Sequence, residues 1–150
     1  FTLYFPVPKG VSAGAASVKK EVAEISGGSE TVLVIEDEEA LRMLLKNLLE
    51  AKGYTVIAAS DGLEGVALFE KHRDQIAAVV SDHGLPGMNG ADAVRKMIAA
   101  KPGVKCIIAS GYMEPKQKSE IYKSGVKEFI QKPYDPLEVV RKVREVLDLK

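Results

Sequence analysis

Five residues in this chain belong together chemically. Glu36 and Asp37 follow the apolar run Thr31–Ile35, and Asp82 follows Ile76–Ser81. Ser110 follows Val104–Ala109, and Lys132 comes just after Lys127–Ile130. Carboxylates brought close repel unless a cation sits between them. A hard divalent ion with oxygen ligands, Mg²⁺ foremost, relieves that repulsion and keeps several of its waters. A lysine and a hydroxyl beside it suit a phosphoryl group. Aspartate is a competent nucleophile toward phosphorus and forms an aspartyl phosphate. Read from residues alone, this is a Mg²⁺-assisted phosphoryl site with Asp82 as candidate acceptor.

For these residues to meet, the apolar runs before them must be neighbouring strands. Thr31–Ile35, Tyr54–Ala58, Ile76–Ser81, Val104–Ala109 and Lys127–Ile130 are read as five strands, short and apolar enough for burial on both faces. Helical spacing separates them. Leu41, Leu44, Leu45, Leu48 and Leu49 form one stripe, ended by Gly53. Asp61 to Glu64 has the form of a capping box and opens a helix to about Arg73. Further helices are expected from Gly90 to about Ala100 and over Glu114–Lys123. Asp135 caps the last one, with Pro136 at its first position and Leu137, Val140, Val143, Val146 and Leu147 as its stripe. Five strands alternating with five helices predict an α/β fold, a doubly wound five-stranded parallel sheet with right-handed crossovers. Ligand sites in such sheets lie beyond the carboxyl ends of the strands. That is where the five residues fall.

Composition narrows the reading further. The chain has 150 residues, with 21 Lys+Arg balancing 21 Asp+Glu. Zero net charge removes the bulk electrostatic case for a nucleic-acid partner. Cys106 is the single cysteine, which excludes an internal disulfide framework and suits a reducing compartment, so a cytoplasmic location is expected. No apolar run approaches the roughly 20 residues that span a bilayer, and no membrane contact by this segment is expected. The composition shifts near residue 30. Residues 1–5 read as a short strand stopped by Pro6 and Pro8. Residues 9–30 read as a linker with a helical turn around Val18–Ile25. The expected division is a tail over 1–30 and a domain over 31–150. A chain opening on Phe1 is expected to be a segment of something longer.

Four motifs then carry a resemblance. Val-Leu-Val-Ile-Glu-Asp-Glu-Glu (32–39), Val-Val-Ser-Asp-His-Gly-Leu-Pro-Gly-Met-Asn-Gly (79–90), Ile-Ile-Ala-Ser-Gly-Tyr (107–112) and Phe-Ile-Gln-Lys-Pro-Tyr (129–134) resemble the receiver domain of two-component response regulators. The resemblance implies a flavodoxin-like strand order, 2-1-3-4-5. It implies Asp82 as phosphoacceptor, Asp37 as direct Mg²⁺ ligand, Glu36 as ligand through a water, and the Gly84 backbone carbonyl as a further ligand. It makes Ser110 the switch hydroxyl, Phe129 the switch aromatic, and Lys132 the partner of the phosphoryl oxygens. Glu36 stands where the family usually has Asp, and Ser110 where Thr is common. The implied phosphodonor is a histidine kinase or a histidine-phosphotransfer protein, and a homodimer is compatible. Such a domain is no conventional enzyme, but it assists its own phosphorylation and dephosphorylation. Phe1–Pro6 is similar to the last strand of the ATP-binding domain of sensor histidine kinases, and Ser110-Gly111-Tyr112 to receivers attached to them. Together these imply the carboxyl-terminal receiver of a hybrid kinase, whose parent protein is free to be membrane-anchored.

Each residue also has a plainer reading. Glu38 and Glu39 read as acids favoured at a helix start. Asp82 before Gly84 and Pro86 has the look of a turn residue, and Lys132 of a surface lysine; their convergence with Asp37 favours function. His83 reads as a loop residue and Cys106 as a small buried hydrophobe. A pseudo-receiver that binds partners without phosphorylation is the rival. A phosphatase of the haloacid-dehalogenase type would need a second Asp where Gly84 stands.

Overall fold

The computed structural model describes residues 27–149 except Pro86. Its elements run β1 (Thr31–Ile35), α1 (Glu39–Ala51), β2 (Thr55–Ala59), α2 (Gly62–Lys71), β3 (Ile76–Asp82), α3 (Gly90–Ala100), β4 (Lys105–Ser110), α4 (Pro115–Lys123), β5 (Glu128–Gln131) and α5 (Pro136–Leu147). The five strands form one parallel sheet in the order β2-β1-β3-β4-β5. The strand expected at residues 1–5 and the helical turn at 18–25 lie outside the described residues. No helix among the described residues is long and apolar enough to cross a membrane.

Alternation along the strands builds two cores. Leu33, Ile35, Val79 and Ile108 face one side, against Phe69, Ala93, Val94, Met97 and Ile121 from α2, α3 and α4. Val32, Val34, Val80 and Ile107 face the other, against Leu45 and Leu49 of α1 and Val139, Val140 and Val143 of α5. Each fully buried side chain of this size contributes roughly 1.5–3 kcal/mol. Cys106 is buried in the first core, and burial pushes its thiol up to about 12. It is a packing residue, as its strand position suggests.

The helix ends follow their local chemistry, with one difference from expectation. Asp61 caps α2 by accepting from the Glu64 N–H at 2.7 Å. Glu64 does not reach back to the Asp61 N–H as a capping box would. It accepts from the Ser60 N–H and from Ser60 Oγ at 2.9 Å, one residue earlier. Asn89 caps α3 through the Asp92 N–H, and Asp135 caps α5 through the Leu137 N–H. Gly53, at φ +99°, turns the chain out of α1 in the left-handed region.

Residues 27–30 are fastened to the domain. Arg144 on α5 donates to the Gly27 carbonyl at 3.0 Å and pairs with Glu30 at 3.0 Å. The Arg144 hydrogen bond holds the Glu30 carboxyl below its usual range. The Gly28 N–H donates to the Lys52 carbonyl. The segment read as the end of the linker thus lies against α5 and the α1–β2 turn, at the amino-terminal end of β1.

Close backbone packing also fixes the loop after β3. The Gly90 N–H donates to the His83 carbonyl at 2.9 Å, and a Cβ on Gly90 would overlap the Asp82 carbonyl. Gly90→Ala must therefore displace backbone, and should lower the unfolding free energy by about 1–3 kcal/mol in urea titrations. Gly103, with nothing within 4 Å of its would-be Cβ, is the contrast. Gly103→Ala should leave stability unchanged or raise it by up to about 1 kcal/mol. Equal effects from the two would contradict this packing.

Candidate functional site

The chain runs from β1 outward to β2 on one side and to β3 on the other, so the switch point lies between β1 and β3. Glu36 and Asp37 leave β1 there, and Asp82 is the last residue of β3. One carboxylate oxygen from each of Glu36, Asp37 and Asp82 lies within 4.8 Å of the others. Glu36 is 3% and Asp82 6% exposed, whereas Asp37 is open to solvent. Lys132, just beyond β5, reaches across to Asp82 Oδ2 at 2.8 Å. The Gly84 N–H donates to Asp82 Oδ1 at 3.2 Å. Four of the residues singled out by type and spacing, Glu36, Asp37, Asp82 and Lys132, thus share one pocket.

Its electrostatics follow from burial first and from neighbouring charges second. Burial pushes the Glu36 carboxyl up to about 7. The Glu38 N–H and the Lys132 charge oppose that rise, while a side-chain hydrogen bond with Asp37 and the charge of Asp82 add to it. Burial pulls the Lys132 ammonium down. The hydrogen bond to Asp82 and the charges of Asp82, Glu36 and Asp37 outweigh it and hold Lys132 above its usual value. Tyr134, two residues on, is half-buried, and burial plus the charges of Glu36, Asp82 and Glu38 push its phenol up.

This donor set fits a hard divalent cation. It offers only oxygen ligands, and it holds three acids close together, one of which is pushed toward protonation by burial and then by its acidic neighbours. A softer ion would want the nitrogen or sulfur donors that this cluster lacks. Glu36, Asp37 and Asp82 are the residues that would hold Mg²⁺.

Ser110 and Phe129 sit beside this pocket, not in it. Ser110 ends β4, next to the Asp82–Ala109 pairing, and the Lys132 N–H donates to its carbonyl at 2.7 Å. Its hydroxyl donates to the Gly111 carbonyl at 3.2 Å. Phe129 is buried, edge-on to Tyr122 of α4 at 4.8 Å between ring centroids. Lys118 Nζ lies 5.2 Å from the Phe129 ring centroid. Ser110 and Phe129 both line a cavity of about 140 Å³, together with Met113, Lys118 and Gln131. Gly84 and Gly111 have nothing within 4 Å of a would-be Cβ, and Tyr112 is 83% exposed.

Four neighbours of the site escaped the sequence reading: Arg42, Lys118, Tyr122 and Tyr134. Arg42 on α1 donates from Nη1 to the Glu36 carbonyl at 2.9 Å. Lys118 and Tyr122 hold the Phe129 ring. Arg42 lies five residues beyond Asp37, a spacing that signals nothing until the helix turns it back over the loop. Tyr134 directly follows Lys132-Pro133, and its position there was the available signal.

A doubly wound domain with an acidic, oxygen-rich site and a lysine at its switch point is a definite class of protein. The chain belongs to the response regulator receiver domain family, whose model matches residues 32–144. It is thus a receiver domain of two-component signalling. Receiver domains bind Mg²⁺ at an acidic pocket and receive phosphate from histidine kinases or phosphotransfer proteins. The chain is 35% identical over 135 residues to the sensor kinase CckA of Brucella abortus (strain 2308). That match covers 89% of this chain and 14% of the kinase, so the chain spans a small part of that relative. A crystal structure of the receiver domain from the hybrid histidine kinase CckA is similar at 30% identity and TM-score 0.66, covering 79% of this chain and 99% of that one. The CheX-CheY-BeF3-Mg+2 complex from Borrelia burgdorferi gives TM-score 0.74 at 25% identity, over 81% of this chain and 90% of that one.

The raised Glu36 value, set by burial and then by its acidic neighbours, has a pH signature. Glu36 binds its proton more tightly folded than unfolded, where its value is 4.5. Its contribution to stability is therefore fully present below pH 4.5 and is lost as pH rises to about 7. Glu36→Gln keeps an acceptor for the Glu38 N–H but removes this loss. In EDTA, its stability advantage over wild type should be near zero at pH 4 and on the order of 2 kcal/mol at pH 8. An advantage that does not change with pH would contradict the raised Glu36 value.

Proposed function

We propose that Asp82 accepts a phosphoryl group from a phosphohistidine, and that the phosphorylated state alters the surface around β4, α4 and β5. The observation that carries this reading is the convergence of Glu36, Asp37, Asp82 and Lys132 at one end of the sheet. In the transfer, a carboxylate oxygen of Asp82 forms a bond to phosphorus and the bond from phosphorus to the donor imidazole nitrogen breaks. The imidazole leaves as the neutral base once it has a proton. Lys132 already holds Asp82 Oδ2 and would move its charge onto the phosphoryl oxygens. Glu36, Asp37 and Asp82, with the Gly84 carbonyl, are the proposed holders of Mg²⁺. Bound there, the ion would supply positive charge against the phosphoryl oxygens and a template for their orientation.

Ser110 is the proposed switch hydroxyl. Its present bond to the Gly111 carbonyl is weak enough, at 3.2 Å, to exchange for a charge-assisted bond to a phosphoryl oxygen. Phe129 then has the neighbouring cavity to move into. The move would cost its edge contact with Tyr122 and its cation–π contact with Lys118, and so would loosen α4. Phosphorylation is in this way coupled to a packing change on one face.

The proposed donor is a histidine kinase or phosphotransfer protein, and the proposed parent is a hybrid histidine kinase with this receiver in the cytoplasm. The CckA match supports that parent. It covers 89% of the chain, whereas residues 31–150 make up 80% (120 of 150), so it extends into the segment before residue 31.

The test uses the full chain with MgCl₂ and acetyl phosphate, read by intact mass. Wild type should gain one phosphoryl group, sensitive to hydroxylamine, and Asp82→Asn should gain none. A wild-type chain that gains none, or a gain that survives Asp82→Asn, would sink the proposal.

A further inference from the structure

We propose that Arg42 is the positioning residue of the loop that presents Glu36 and Asp37 to the cation. This inference rests on the reading of the acidic cluster as a Mg²⁺ site.

Only Glu36, Asp37 and Glu38 lie between β1 and α1. The loop is short, and its acids must hold a fixed separation for a demanding octahedral ion. Four hydrogen bonds fasten it. The Glu36 N–H donates to the Ala59 carbonyl at 3.0 Å, and the Arg42 N–H donates to the Glu38 carbonyl at 2.9 Å. The Glu38 N–H donates to Glu36 Oε2 at 3.1 Å. Arg42 Nη1 donates to the Glu36 carbonyl at 2.9 Å. The third bond uses a carboxylate of the cluster itself, so a cation that draws on Glu36 competes with it. The Arg42 bond is a side-chain anchor that uses no carboxylate oxygen of the cluster, so a cation would not compete with it.

The choice of acceptor matters. A guanidinium on Asp37 or Asp82 would compete with a cation for the same oxygens. Arg42 instead binds a main-chain carbonyl, orienting the peptide from which both acids project, and leaves their oxygens available. It also brings a positive group to the loop after β1. Lys132 reaches Asp82 from just beyond β5, and Arg42 reaches the Glu36 carbonyl from α1.

Charge and positioning predict opposite signs. As a mere neighbouring charge, Arg42 repels a dication, and its removal would tighten Mg²⁺ binding. As a positioning residue, its removal weakens binding. Arg42→Met keeps much of the apolar stem and loses both the donor and the charge. Arg42→Lys keeps a donor and the charge.

The experiment is equilibrium Mg²⁺ binding to the full chain at constant ionic strength, with the unfolding midpoint measured in EDTA. R42M should weaken Mg²⁺ binding roughly tenfold, as loss of a group that orients metal ligands does. Its EDTA midpoint should stay close to that of wild type, and R42K should recover part of the affinity. R42M with unchanged or tighter binding overturns the assignment. So does R42K no better than R42M, or an R42M midpoint that falls together with the affinity, which marks a general structural role. A wild-type chain that binds no Mg²⁺ overturns the metal reading itself, and this inference with it.

Discussion

Like charges held a few ångströms apart in a half-dry pocket set the terms for the rest of this molecule. Glu36, Asp37 and Asp82 have carboxylate oxygens within 4.8 Å of one another, and two of the three side chains are buried. Left alone, such a group would separate or take up protons. The backbone prevents separation. Asp82 is paired into β3 beside Ala109 of β4, and Glu36 is tied to β2 by its N–H. What remains is compensation, partly by the Lys132 ammonium, partly by the rise of Glu36 toward neutral pH, and in the proposed working state by a divalent cation.

That constraint explains several features with no chemistry of their own. Gly90 must lack a side chain because its backbone lies against the Asp82 carbonyl. A Cβ on Gly62 would likewise meet the Met88 carbonyl at 2.6 Å, so α2 packs closely on the loop that follows the acceptor. The two cores on either face of the sheet hold β1, β3 and β4 in register, and register alone brings the three strand ends level. Stability concentrated in the sheet supports strain concentrated at its carboxyl edge.

The arrangement of elements was legible in the sequence, because β-branched runs and 3.6-residue stripes alternate cleanly. Strand ends were less so. Tyr54, Val104 and Lys127 precede their strands, while Asp82 and Ser110 close theirs. The ladder extends wherever a neighbour offers partners, as the His83 N–H finds the Ala109 carbonyl and the Lys132 N–H finds Ser110. Residue types identified Asp37, Asp82 and Lys132 as a group, and the receiver resemblance supplied roles for Ser110 and Phe129. The direction of the Ser110 hydroxyl was not legible, since it depends on a single rotamer. Neither was Arg42, whose side chain folds back along α1, nor the clamp between Glu30 and Arg144, whose partners lie 114 residues apart. Long side chains act through three-dimensional reach, and spacing along a chain does not encode reach.

Compensation by a cation is the central claim, and thermal unfolding of the metal-free chain against added Mg²⁺ tests it most directly. A ligand that binds only the folded state raises the midpoint as its concentration passes the dissociation constant. The midpoint should climb with Mg²⁺ in wild type at pH 7.5 and stay flat when Asp37 and Asp82 are both replaced by Asn. Equal curves for the two proteins, or no rise in wild type at ionic strength matched with NaCl, would contradict the account.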